Sequence, residues 1–160
     1  MWSQGGVPHK GWTCVGVEDF ESPSEFCEMC PNQEIRYGHF MRHPNYHRDV
    51  LVGCVCAENM EGDYTAPRRR ESSLKNVAAR RRRWLTRTWR TSRKGNDYLN
   101  TDGLIVSVFQ TQQGAWKASV LDKSLQRSTF TPRAYATQNE AKIAGFDTMI
   151  FVKSEWSWGR

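Results

Sequence analysis

Two cysteine pairs limit what the front of this chain can become. Cys27 and Cys30 stand in "FCEMC", and Cys54 and Cys56 stand in "VGCVCAENM". Residues 1–63 hold all five cysteines and all four histidines of the chain, together with many turn formers and few aliphatic side chains. A polar segment of that kind, roughly 60 residues long, does not bury enough apolar surface to fold unaided; a structural metal supplies the missing stability. Four thiolates satisfy tetrahedral Zn²⁺. Cys-x2-Cys on a tight turn is a two-ligand hook. If "DVLVGCV" runs as a strand, positions i and i+2 point the same way, so Cys54 and Cys56 form the second hook. The spacing therefore predicts a Zn²⁺ site of Cys27, Cys30, Cys54 and Cys56 within a β-rich module over residues 1–63. A redox pair at Cys27/Cys30 is the lesser reading, because no βαβ pattern surrounds it. An odd cysteine count without a secretion signal argues against a disulfide framework. Cys14 is left over and is expected to be buried.

The residues "CEMC", "IRYGHF" and "GCVCAENM" resemble the small zinc-ribbon or treble-clef-like four-cysteine modules of bacterial and phage proteins. In this chain the second hook has one intervening residue where the usual module has two. His39, His43 and His47 recur every fourth position, but Pro44 pushes His43 out of helical geometry. "EIRYGHF" is better read as a strand, with His39 and His43 as surface or core side chains. Two further readings stay open: His39 or His43 replaces one cysteine on the metal, or the two act as the histidines of a metal-dependent nuclease.

The chemistry changes over residues 64–95. Between Arg68 and Lys94 twelve Lys/Arg (positions 68, 69, 70, 75, 80, 81, 82, 83, 87, 90, 93 and 94) face one acid, Glu71. At roughly 100° per residue, Leu74, Val77, Ala78, Trp84, Leu85 and Trp89 fall on one side. Arg80, Arg82, Arg83, Arg87 and Arg90 fall mostly on the other, while Arg81 intrudes into the apolar stripe and must snorkel. This predicts an amphipathic, basic linker helix, started near Pro67 and stopped at Gly95.

Residues 96–160 predict a βββα domain. "GLIVSVF" and "AWKASVL" pair through the hairpin loop "QTQQG". "STFTPRAY" forms an edge strand, because Pro132 cannot donate to a ladder. Thr137 and Glu140 make a capping box for a final helix. In element order this domain is similar to dsRNA-binding-like folds and to the arm-binding domains of phage-type integrases. Its hairpin offers Phe109 and Lys117 to a groove, with Trp116 expected in the core. The fold class is thus α+β.

Net charge is +6, which favours polyanionic partners. The expected function is that of a non-catalytic accessory or regulatory protein that binds nucleic acid, DNA or RNA. Arg80, Arg82, Arg83, Arg87 and Arg90 would meet phosphates, with Arg36 and Arg42 added from the first module. The alternative is a protein-interaction adaptor or inhibitor within a larger complex, docking through exposed Trp156 and Trp158; an acidic protein surface is a further partner reading for the basic helix. No apolar run approaches the roughly 20 residues of a spanning helix, and "MWSQGGVPHKGW" lacks the pattern of a signal peptide. A soluble, cytoplasmic chain without a membrane partner or an evident small-molecule substrate is expected.

Overall fold

The computed structural model describes residues 1–157. The chain divides into two compact units, Met1–Ala78 and Ala79–Arg160. No helix among the described residues is long and apolar enough to cross a membrane.

The first unit is built on a three-stranded antiparallel sheet of order β1-β4-β5, from β1 (Thr13–Asp19), β4 (Tyr37–Arg42) and β5 (Val50–Val52). A small hairpin, β2 (Glu25–Phe26) with β3 (Glu34–Ile35), carries the first cysteine pair in its loop. Chain direction changes at Gly53, where an added Cβ would meet Ile35 Cγ2 at 3.0 Å. There the strand ends, and helix α1 (Cys54–Glu61) begins. Met29, Met41, Val50, Val52, Ala57 and Met60 are fully buried and form the core with Cys27 and Cys56. Strand β1, with Cys14 on it, was not legible from the sequence.

Helix α2 (Ala66–Arg82) follows. Asp63 starts it: its Oδ1 accepts hydrogen bonds from the backbone N–H groups of Thr65 and Ala66 at 2.8 and 3.1 Å. These bonds satisfy donors that the first turn leaves open. The helix is shorter than its predicted span. It stops at Arg82, Trp84–Thr86 form a single 3-10 turn, and Gly95 lies in a hairpin turn at φ 82°. Only Pro67 is buried along α2, so the predicted apolar stripe is not a packed face.

The second unit holds five strands where three were predicted. β6 (Arg90–Thr91), β7 (Asp97–Thr101), β8 (Leu104–Gln110), β9 (Trp116–Asp122) and β10 (Arg127–Phe130) form one antiparallel sheet of order β10-β9-β8-β7-β6. Helix α3 (Gln138–Ser157) covers one face, packing on β8 and β9. It is capped as expected: Glu140 N–H donates to Thr137 Oγ1, and Thr137 N–H to Glu140 Oε2, at 3.2 and 3.3 Å. Closest approach comes at Gly145, where an added Cβ would lie 2.9 Å from Val106 Cγ1 and 3.0 Å from Ala118 Cβ. Trp84 fills the core, fully buried against Phe146 with ring centroids 5.0 Å apart, and its Nε1–H donates to the Lys142 carbonyl at 2.7 Å. Trp116 is half-buried beside Val108, Ala118 and Ala141.

Candidate functional site

Three of the four expected thiols come together. The Sγ atoms of Cys27, Cys30 and Cys56 all lie within 4.8 Å of one another. Cys27 and Cys56 are buried, Cys30 is half-buried, and all three are free cysteines. Tetrahedral zinc with Zn–S bonds of about 2.3 Å places ligand sulfurs about 3.8 Å apart, so the group is of the size that one ion draws together. It sits in the core of the first unit, beside Met29 and Ala57.

The loop geometry serves this group. Cys27 N–H donates to the Gln33 carbonyl at 2.9 Å, Gln33 N–H donates to the Cys30 carbonyl at 3.3 Å, and Asn32 takes a left-handed φ of 65° to close the turn. The Cys27 thiol is held down to about 5. The Cys56 thiol beside it has the largest effect, opposed by burial and assisted by hydrogen bonds from the backbone of Gly53, Cys30 and Met29. Cys56 is pushed up in turn, by the same contact with Cys27 and by burial. Metal ligation takes cysteine as thiolate; here Cys27 is favoured in that form, chiefly through Cys56, and Cys56 is not.

Cys54 is not in the group, which corrects the expected four-sulfur set. The cause is secondary structure. Cys54 and Cys56 lie on α1, where i and i+2 diverge by roughly 200°, and not on a strand that would align them. Cys54 Sγ lies 3.8 Å from Glu58 Oε1. Burial, followed by the carboxylates of Glu71 and Glu58, pushes its thiol up to about 11. Its thiol form is favoured beside these carboxylates, of which Glu58 is itself engaged by Arg68.

Neither His39 nor His43 belongs to the sulfur group. His39 is fully buried, with Nε2 at 3.3 Å from the Pro67 carbonyl, so Nε2 carries the proton. Its Nδ1 has no hydrogen-bond partner among the described residues, and neither has the buried Nε of Arg70. His43 accepts a hydrogen bond on Nδ1 from Asn45 N–H at 3.0 Å and stacks at a tilt against Trp12. Cys14 is half-buried on β1, with its Sγ 3.3 Å from the Gly16 carbonyl.

The predicted phosphate-binding arginines separate into two sets. Arg36 grips Asp19 through two hydrogen bonds of 2.7 and 2.9 Å, Arg42 grips Asp49 in the same way, and Arg80 reaches Asp102 at 2.7 Å. These three are committed to carboxylates within the chain. Arg81, expected to snorkel, instead holds Asp147 at 2.8 and 3.0 Å. Among the described residues no carboxylate lies within ion-pair distance of Arg82, Arg83, Arg87 or Arg90, and all four side chains are exposed. Arg87 rests its guanidinium over the Trp84 ring, 5.9 Å from the centroid. Of the two tryptophans assigned to docking, Trp156 is half-buried, and Trp158 lies outside the described residues. The resemblance to zinc-ribbon modules reaches as far as the three-cysteine cluster: no family model, no curated protein and no solved structure matches this chain.

Proposed function

We propose that the chain is a zinc-containing, non-catalytic protein that binds nucleic acid in an accessory or regulatory role. Zn²⁺ on Cys27, Cys30 and Cys56 would supply Lewis-acid cross-linking and nothing more, fixing the hairpin loop to the start of α1. The observation that carries the binding is the run of Arg82, Arg83, Arg87 and Arg90, four exposed guanidiniums within nine positions and without a carboxylate partner among the described residues. Arginines already paired within a fold gain little from a phosphate. Unpaired ones displace condensed counterions and gain the entropy of their release.

Four phosphate contacts imply a log–log salt slope of about −3 to −4. The test is a fluorescence titration of a labelled oligonucleotide at several salt concentrations, with the wild type and with a variant carrying Arg82→Gln, Arg83→Gln, Arg87→Gln and Arg90→Gln. The expected result is steep salt dependence in the wild type and a much shallower slope, with weak binding, in the variant. Salt-insensitive binding, or none at low salt, would overturn the reading.

A further inference from the structure

The sheet of the second unit has two faces, and α3 covers only one. Leu104, Val106, Val108, Ala118 and Val120 point towards α3 and are at most 5% exposed. The alternate positions form the other face, and none of them is buried. Strand register aligns one row across all five strands: Arg90, Tyr98, Ser107, Ser119 and Phe130. Phe109 and Lys117 pair beside it. Phe130 is 56% exposed on the edge strand. Its ring meets Phe109 edge-on at 6.1 Å, and Lys117 Nζ lies 6.0 Å from its centroid.

Charge on this face has one sign. The strands of the sheet contain two acids, Asp97 and Asp122, and both lie in rows of the other face. Asp97 accepts a hydrogen bond from Lys142 of α3 at 2.8 Å, and Asp122 caps the turn after β9 by accepting from Ser124 and Leu125 N–H. The uncovered face therefore combines aromatic rings, two cations, a line of hydroxyls and no strand carboxylate. A protein partner would not require that combination. A chain of stacked bases strung on phosphates does, because every base offers a π face and every linkage a negative charge. A duplex hides its base faces, so its rings cannot stack on the sheet.

We propose that this face binds single-stranded nucleic acid, with Tyr98, Phe109 and Phe130 stacking on bases and Arg90 and Lys117 meeting phosphates. The assignment rests on the nucleic-acid reading above and narrows it to single strands and to one surface. The probes are a fluorescein-labelled oligonucleotide of about ten nucleotides, as DNA and as RNA, and its duplex. The proteins are the wild type, the Leu variants Tyr98→Leu, Phe109→Leu and Phe130→Leu, an aromatic swap Phe130→Trp, and Arg82→Gln/Arg83→Gln/Arg87→Gln. Leucine keeps the strand apolar and removes the ring, together with the hydroxyl at Tyr98. Equal unfolding midpoints verify the fold, and Phe130→Trp keeps a stacking surface if any single variant is destabilised.

The expected result is tighter binding of the single strand than of the duplex. Each Leu variant should bind about 5- to 150-fold more weakly with an unchanged salt slope, since no phosphate contact is lost. Phe130→Trp should bind as the wild type does. Equal binding of strand and duplex, lost in the Arg variant and untouched in the Leu variants, would overturn this assignment while leaving nucleic-acid binding intact. Absence of binding to any probe at low salt would overturn both.

Discussion

The Sγ atoms of Cys30 and Cys56 lie 3.0 Å apart, although one sits in a hairpin loop and the other in a helix that begins after β5. Glu28 holds the two segments together: its N–H donates to the Leu51 carbonyl at 2.9 Å, and its Oε1 accepts from Leu51 N–H at 2.8 Å. Structural zinc contributes an apparent ~10–16 kcal/mol, against ~5–15 kcal/mol for the net stability of a typical domain. A strong zinc chelator should therefore unfold Met1–Ala78 and spare the second unit. Amide hydrogen exchange checks this: protection should vanish in β4 and α1 and persist in β8 and β9. Continued protection of β4 and α1 in chelator would show that no metal is needed.

His39 should make stability depend on pH. Burial, the largest cause, together with the nearby Arg70 of α2, lowers its pKa, against the Pro67 carbonyl and the carboxylates of Glu71 on α2 and Glu61 on α1. Between the lowered folded value and the ordinary 6.5, the unfolded chain binds more protons than the folded one. Stability is then fully present above about pH 6.5 and falls as pH drops, by at most ~1.4 kcal/mol per pH unit. Denaturant midpoints at pH 7.5 and 5.5 should diverge in the wild type by more than in His39→Gln, which does not titrate. Equal divergence in both would remove His39 from the account.

Trp84→Ala should cost ~3–5 kcal/mol in the second unit. The indole is fully buried against Phe146 and Trp89, and its hydrogen bond to the Lys142 carbonyl would be lost. The check is the shift in the denaturant midpoint of that unit. A loss under ~1 kcal/mol would mean that the 3-10 turn is only loosely seated.

Gly145→Ala weighs two effects of opposite sign. Helix propensity gains ~1 kcal/mol, while overpacking costs ~1–3 kcal/mol. Val106 is β-branched and stiff, and the Ala118 Cβ has no rotamer to yield, so the contacts at 2.9 and 3.0 Å must be relieved by moving backbone. Net destabilisation is expected, read as a lower thermal midpoint; a raised midpoint would show that α3 shifts freely over the sheet.

The sequence signals that survived folding were local and periodic. Alternation in "GLIVSVF" and "AWKASVL" became β8 and β9, and the Thr137/Glu140 spacing became the cap of α3. The cysteine spacing identified three members of the cluster and misplaced the fourth, because the strand-like "VLVGCV" turns helical at Gly53, a position where an added Cβ would meet Ile35 of another strand. No local pattern reports that contact. Helix α2 was extended too far because Trp84 and Trp89 continue the helical period, yet Trp84 is drawn into a core with Phe146, sixty-odd positions away. The helical wheel set Arg81 in the apolar stripe and grouped Arg80 with Arg82, Arg83, Arg87 and Arg90 as one basic face. Which of its members meet Asp102 and Asp147 depends on tertiary structure, and only that pairing separates committed cations from available ones.

Metal content measured on single-cysteine variants tests the central claim most directly. The account expects one zinc per chain in the wild type and in Cys14→Ser and Cys54→Ser, with loss of zinc in Cys27→Ser, Cys30→Ser and Cys56→Ser. Zinc lost in Cys54→Ser and kept in Cys56→Ser, or no zinc in the wild type purified without chelator, would contradict it.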